Sequence, residues 1–436
     1  MPVSPPHSSP VRFPAPVNDQ WDYLLSTIWS QMLHLVITFE ENLDQERLYR
    51  AFCLVIEAEP LLASRFVESP APFWETIPDL TRNSIFSLVH TDDMGRALNG
   101  VLTTRIEPAK GPQGRISVIR GTHDCLVLTV NHAVCDAFGV KHISRLLIQA
   151  YRGLHEDPGF TLPRQLSRDR SFYPIITCFT PQEMTAAREA CGEQRAVWGI
   201  PSRHGMCRCP AYRVRTIEPH LFLKLKKYSH SRGITINDLL LSSYYSALFS
   251  EIPHTPGCQY PVLTSVDLRR TLPEYDPPPV ANLSVAFEVS VPAETPLEYH
   301  LLLSNVHHVM ADKKMLNAGL GAAIRLQEDF SGGFCCVKKR LREMEKRTFD
   351  EHYPKNPFFS NTGIIPDDSA DFEELSTVHA FLAPPVDYPP GFGVTASTFR
   401  NRLTLVSGFC EDSVPNTLVE GILSRMEEHL VSLVVE

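Results

Sequence analysis

Residues 131 to 139 read "NHAVCDAFG" and follow the apolar run "CLVLTV", so His132 and Asp136 stand four positions apart where a strand would end. An imidazole presented there has a near-neutral pKa suited to general base work. The same residues also allow a plain reading, in which Asp136 caps the following helix through a backbone N–H and His132 is a packed strand end. A second copy of the spacing occurs in "HHVMAD", with His308 and Asp312 inside "LEYHLLLSNVHHVMADKKM". Apolar residues there recur at helical spacing, which predicts an exposed pair on one helix face and no presented imidazole. Cys135 is a conceivable nucleophile beside His132, but adjacency in sequence does not place a thiol against an imidazole. "HGMCRC" (204 to 209) offers possible ligands but lacks a second cluster at zinc-site spacing, so no metal is expected.

The elements around the first copy must turn a strand into a helix. "RISVIR" and "CLVLTVNH" are joined by "GTHD" and read as a hairpin. After Asp136, Ile143, Leu146, Leu147, Ala150 and Tyr151 recur at helical spacing. Upstream, "LHLVITFEE" reads as a strand and "LDQERLYRAFCLVIEAE" as a helix that ends near Glu59, before Pro60.

Residues 1–18 are proline-rich and are expected to be an arm, lying on the surface or disordered. A first domain spans 19–175 and carries the motif; 176–210 is read as a linker of weak periodicity, and 211–436 as a second domain. That second unit has strands in "YRVRTIE", "PVLTSVDL", "NLSVAFEVSV" and "FFSNTGII", and the strand pair "GVTASTF" and "RLTLVSGF". Its helices are "HLFLKLKKYSHSRG", "TINDLLLSSYYSALFSEI" and a closing "VPNTLVEGILSRMEEHLVSLVV". Strands and helices mix without strict alternation, which favours two α+β halves over one doubly wound sheet.

The 436 residues suit two or three units of roughly 100 to 200 residues. A net charge of −9 argues against a general nucleic-acid binder. No apolar run nears the roughly 18 residues of a membrane span. The start "MPVSPPHSSPVRFPAPVNDQ" lacks a secretory signal, and the eleven scattered cysteines fit reduced thiols in a cytoplasmic protein.

Five phrases in order over most of the chain resemble the superfamily of coenzyme A-dependent acyltransferases that includes chloramphenicol acetyltransferase, plant BAHD acyltransferases, peptide-synthetase condensation domains and polyketide-associated acyltransferases. "NHAVCDA" is similar to their HHxxxDG motif, and "LDQERLYRAF...AEPLLASRF" to their helix ending in an "HPxLRxRF"-like phrase. "GITINDLLLSSYYSAL" resembles "GxTxNDxLLAA", "SVDLRR" with "ANLSV" resembles the "VxLRxR" strand and the segment after it, and "FSNTG" resembles "SNxG". Asn131 replaces the first motif histidine and Ala137 the glycine, where a side chain could crowd the histidine or alter the turn. The plant "DFGWG" phrase is absent, which sets the chain outside that branch.

The resemblance implies two chloramphenicol acetyltransferase-like domains, each a mixed sheet with flanking helices, and a substrate tunnel between them. It implies His132 as the general base, Asp136 paired with an arginine rather than relaying charge, and Arg269 as that partner, with Arg270 second. Asn361 and Ser360 become candidates for oxyanion or substrate contact, or for a turn. The expected reaction moves an acyl group from a coenzyme A or carrier-protein thioester to the hydroxyl or amine of a small natural-product acceptor. The expected protein is a monomer with no bound cofactor, and an acyl carrier protein is the candidate partner. The same cleft could instead serve a cyclisation, dehydration or rearrangement, or non-catalytic binding. Phosphate on the donor draws attention to "KLKK" (224 to 227) and "VKKRLREMEKR" (337 to 347), although the second run mixes charges as a solvated helix face does.

Overall fold

Leu43 and Asp44 begin the first long helix in the computed structural model, where the Asp44 carboxylate accepts from the backbone N–H groups of Glu46 and Arg47; the helix runs Gln45–Ala58 and stops at Glu59, ahead of Pro60. The structure describes residues 10–164, 169–193, 195–203, 206–272, 280–294, 298–350, 353–372 and 375–435. Within them, the strands in chain order are β1 (Arg12–Pro14), β2 (Met32–Phe39), β3 (Ser64–Val67), β4 (Phe73–Thr76), β5 (Phe86–His90), β6 (Gly114–Arg120) and β7 (Asp124–Asn131). The second half adds β8 (Pro210–Ile217), β9 (Gln259–Asp267), β10 (Ser284–Pro292), β11 (Phe358–Ile364), β12 (Thr377–Ala383), β13 (Gly393–Phe399) and β14 (Arg402–Cys410).

They form three sheets. A small one has the order β1-β4-β3, a five-stranded one the order β12-β2-β7-β6-β5, and a six-stranded one the order β10-β9-β11-β13-β14-β8. The larger two mix parallel and antiparallel pairs, and helices flank them, so the α+β class expected from the sequence is observed. The hairpin read around "GTHD" is present as antiparallel β6 and β7, in register from Gly114 opposite Val130 to Arg120 opposite Asp124. Every residue of β7 is buried, so the strand carrying the motif is held from both faces.

Two cores match the two large sheets. The first gathers Leu35, Ile37, Phe52, Leu128, Val130 and Ile143, and packs the motif helix Ala137–Glu156 against Gln45–Ala58. The second is centred on the helix Ile236–Glu251, which starts with a reciprocal capping box between Thr235 and Asp238 and is buried along most of its length. The chain does not keep the sheets apart. β12, far along the second half, pairs antiparallel with β2, and Phe334, Val337 and Leu341 of a later helix join the first core.

Two expectations need correction. Residues 12–18, assigned to the arm, are built in: β1 pairs with β4, and Asn18 is buried in the helix Val17–Leu24 (residues 1–9 of the arm lie outside the described residues). Proline content hid them, because Pro14 at the strand's end and Pro16 just before the helix are compatible with both elements. Cys207 and Cys410 form a disulfide, so these two are not reduced thiols. They lie 203 positions apart, a separation that no local spacing signals. Among the described residues, no helix is long and apolar enough to cross a membrane.

Candidate functional site

His132 immediately follows β7. Its backbone N–H donates to the carbonyl of Gln31 (2.7 Å), a residue with φ of 62°. The residue before it, Asn131, turns its Oδ1 to the N–H of Ala133 (2.9 Å), which folds the chain sharply away from the strand. The imidazole stacks on Trp29 with ring centroids 5.8 Å apart and planes 14° apart. Burial pushes its pKa below the usual histidine range, only partly offset by a bond to its own backbone and by the charge of Asp136, so the neutral ring is favoured.

Asp136 both caps the helix, as the plain reading of the spacing expected, and pairs with Arg269, as the resemblance implied. Its Oδ1 accepts from the N–H of Gly139 (3.1 Å) and caps the helix Ala137–Glu156. Its Oδ2 accepts from Arg269 Nη1 (2.6 Å) and from the N–H of Leu283 (2.9 Å). Burial alone would raise this carboxyl, but the charge and hydrogen bonds of Arg269, with the two backbone donors, hold it below the ordinary range. Arg269 also donates to Asp267 (3.1 Å) and to the carbonyl of Ala281 (2.6 Å), and its guanidinium lies over the Phe138 ring, 4.7 Å from the centroid. Arg270, the second candidate, is exposed.

Ala137 occupies the first turn of the helix. No left-handed backbone is required there; the tight position is Gly139, where a Cβ would come within 2.5 Å of Cys135 Cβ. Cys135 itself is buried, and burial drives its thiol far above the usual range. A thiolate nucleophile there would be strongly disfavoured.

Ser360 and Asn361 lie on β11. Ser360 Oγ is 2.8 Å from Ser265 Oγ on β9, and Asn361 Oδ1 accepts from the N–H of Gly363 (3.1 Å), so Ser360 meets the neighbouring strand while Asn361 serves the irregular end of β11. That end is tied to the motif helix: Lys141 Nζ donates to the carbonyls of Thr362 (2.7 Å) and Ile364 (2.9 Å). Burial lowers the Lys141 pKa to about 8, despite Asp136 and Asp267 nearby.

The residues that sequence reasoning missed come from the first helix and its partners. Asp19 accepts from Trp74 Nε1 (2.7 Å) and from Arg170 Nη1 (2.5 Å), and burial raises its pKa to about 6 against those partners. Arg170 also donates to the carbonyls of Val134 (2.7 Å) and Val280 (2.9 Å), bracing the motif turn. Asn18 Nδ2 donates to the carbonyl of Asn282 (2.8 Å), and Asn282 Nδ2 contacts both Asp22 Oδ2 and His132 Nδ1, the latter at 3.1 Å. The available signal was three short polar residues, Asn18, Asp19 and Asp22, in one short helix; their hydrogen bonds reach partners 55 or more positions away.

The remaining motifs do not converge on this cluster. His308 is exposed in the helix Tyr299–Met315, and its Nδ1 pairs with the carbonyl of Ser304 (2.7 Å). Cys207 and Cys410 lie with Asp412 in a possible ligand group, but their sulfurs are bonded to each other; His204 lies outside the described residues. Lys338, Lys339, Arg342 and Lys346 line a surface depression of about 600 Å³ together with Glu68 and Glu343, so cations and carboxylates alternate there. Lys224 and Lys226 reach Val434 and Asn401.

No protein-family model matches the sequence, and no curated protein matches it. Solved structures do match. The first condensation domain of the CDA synthetase superposes with a TM-score of 0.71 at 13% identity, covering 98% of this chain and 97% of that one. The chain has the fold of a condensation domain. The trichothecene 15-O-acetyltransferase TRI3 from Fusarium sporotrichioides matches with a TM-score of 0.68 at 13% identity, over 99% and 97% of the two chains. The epimerization domain of the third module of tyrocidine synthetase B matches at 0.66 and 11%, over 99% and 98%. One condensation-domain fold thus carries an acetyltransferase, a condensation domain and an epimerization domain, and the fold by itself selects no reaction.

Proposed function

We propose that the protein is an acyltransferase that moves an acyl group from a coenzyme A or carrier-protein thioester to the hydroxyl, or amine, of a small natural-product acceptor. The observation that carries this reading is a half-buried imidazole favoured in its neutral form just past a strand end, with its neighbouring carboxylate turned away onto Arg269. Both Asp136 oxygens are occupied by Gly139, Arg269 and Leu283, which leaves the aspartate to hold the loop and not to relay charge.

In this reaction His132 Nε2 takes the acceptor's proton as its oxygen or nitrogen bonds to the thioester carbonyl carbon. The C–S bond of the tetrahedral intermediate then breaks, and the imidazolium returns the proton to the thiolate. Burial suits the task because it keeps the ring unprotonated near neutral pH. Stabilising the oxyanion with one donor is worth about 3 to 4 kcal/mol, and Asn361 Nδ2 and the Ser360 hydroxyl are the groups proposed for it. The reading includes a monomer acting in the cytoplasm with no resident cofactor, and an acyl carrier protein as partner if the donor is carrier-bound.

The test is thiol release from a panel of acyl-coenzyme A and acyl-carrier donors. Release is expected only with an acceptor present and is expected to vanish in His132→Ala; retained turnover in that variant would sink the base assignment. A second reading, in which the cleft rearranges or cyclises a bound intermediate, draws support from neighbours described as an epimerization domain and as a cyclization-docking bidomain of Sorangium cellulosum. Product formed without any thioester donor would favour it.

A further inference from the structure

The buried contacts behind His132 determine which of its nitrogens can work. Asn282 Nδ2 has two hydrogens: in the orientation observed, one points to Asp22 Oδ2 and the other to His132 Nδ1 at 3.1 Å. An Nδ1 that accepts this hydrogen bond leaves the ring proton on Nε2, and a neutral imidazole in that tautomer has no lone pair at Nε2. With the amide turned by 180°, Oδ1 accepts from Nδ1–H instead, and Nε2 is free to act as a base. That orientation places Oδ1 against Asp22, which is compatible only with a carboxyl that carries a proton and donates it.

We infer that Asp22 and Asn282 are positioning residues for His132: the Asn282 amide selects the ring tautomer, and the protonation of Asp22 selects the orientation of the amide. The change between states balances as one proton bound at Asp22, while the ring's single proton passes through solvent from Nε2 to Nδ1. It gives up only the long bond from the N–H of Ser284 to Asn282 Oδ1 (3.3 Å). The inference rests on the reading of His132 as a general base.

The surroundings favour the protonated acid. Asp22 is buried, and the carboxylates of Asp19 on its own helix and Asp136 in the motif loop add to the burial in raising its pKa, opposed by the Asn282 hydrogen bond. The nearest cations are already engaged, Arg170 with Asp19 and Arg269 with Asp136 and Asp267. Other charged groups on the helices packed against this one face elsewhere: Glu345 takes Thr27, Lys338 pairs with Glu68, and Arg325 donates to Gly192 and Arg188. His132 thus becomes a base as it loses its own proton with rising pH, and stops being one as Asp22 ionises.

The test needs no substrate of the enzyme. Diethyl pyrocarbonate acylates unprotonated imidazole, and the rate at His132 in the full-length protein is read against pH by peptide mass spectrometry. A rise followed by a fall is expected for the wild type. In Asp22→Asn the fall is expected to disappear, so that one pH unit above the wild-type break the variant reacts about tenfold faster than expected from the falling limb. Asn282→Ala cuts the link, and adding Asp22→Asn to it is expected to change nothing further. A wild-type profile that only rises, or a falling limb that survives in Asp22→Asn, overturns the inference. If either variant does not fold, nitrogen-15 spectra of histidine-labelled wild type decide it: a change from Nδ1–H to Nε2–H with rising pH supports the inference, and one tautomer throughout refutes it. Absence of acyl transfer would refute the proposed reaction and leave these labelling results intact, so the two failures are distinguishable.

Discussion

His132 and His308 each precede an aspartate by four residues, yet they live in opposite surroundings. His308 sits within a helix, exposed, with its Nδ1 on the carbonyl of Ser304, and Asp312 one turn on is exposed as well. His132 ends a fully buried strand, and Asp136 begins a helix while gripping an arginine from 133 positions later. The same spacing spans a turn in one case and a continuous helix in the other. Only the turn aims the two side chains at different partners, and that separation of duties is what base chemistry needs.

The largest contrast is expected in turnover. His132→Ala should lower acceptor-dependent thiol release by about 10² to 10⁴, whereas His308→Ala should leave it unchanged; comparable losses in both would erase the distinction. Stability comes next. Arg269→Ala strands the buried Asp136 and should cost about 3 to 5 kcal/mol by denaturant unfolding, against about 0.5 kcal/mol or less for Asp312→Ala on the exposed helix.

A finer test compares neighbouring residues of the turn. Gly139→Ala forces a Cβ into Cys135 and should destabilise by about 1 to 3 kcal/mol, while Ala137→Gly should cost about 1 kcal/mol or less through helix propensity. The reverse order would show the tight point to be misplaced. The smallest effect concerns pH. Because the folded-state pKa of His132 lies below its unfolded value, the folded protein binds fewer protons between the two, and stability falls as pH drops below about 6.5. The stability of wild type relative to His132→Gln should therefore decline over that interval, and a flat difference would mean that the ring is not held neutral.

Local elements were legible because their signals are local. The β6–β7 hairpin, the stop at Pro60 and the capped helix at Thr235 each depend on residues close together in sequence. Arg269 as the partner of Asp136 could be named only through resemblance; nothing in periodicity links positions 133 apart. The Asp19, Asp22 and Asn282 cluster was invisible for a related reason. Short polar side chains near a proline-rich start read as solvent-facing, and only tertiary contacts reveal that their hydrogen bonds are made inside the protein. The disulfide and the return of β12 to the first sheet are equally long-range facts.

That returning strand constrains how the protein can be made. Until residue 383 has emerged from the ribosome, β2 is an open edge of the sheet that carries His132, with a row of unpaired backbone groups on apolar residues. Such an edge is a template for pairing with another chain. A fragment ending near residue 210 would carry the whole motif and still present this open edge, so it is a poor candidate for separate expression: the last strand of its sheet, β12, lies far along the second half of the chain.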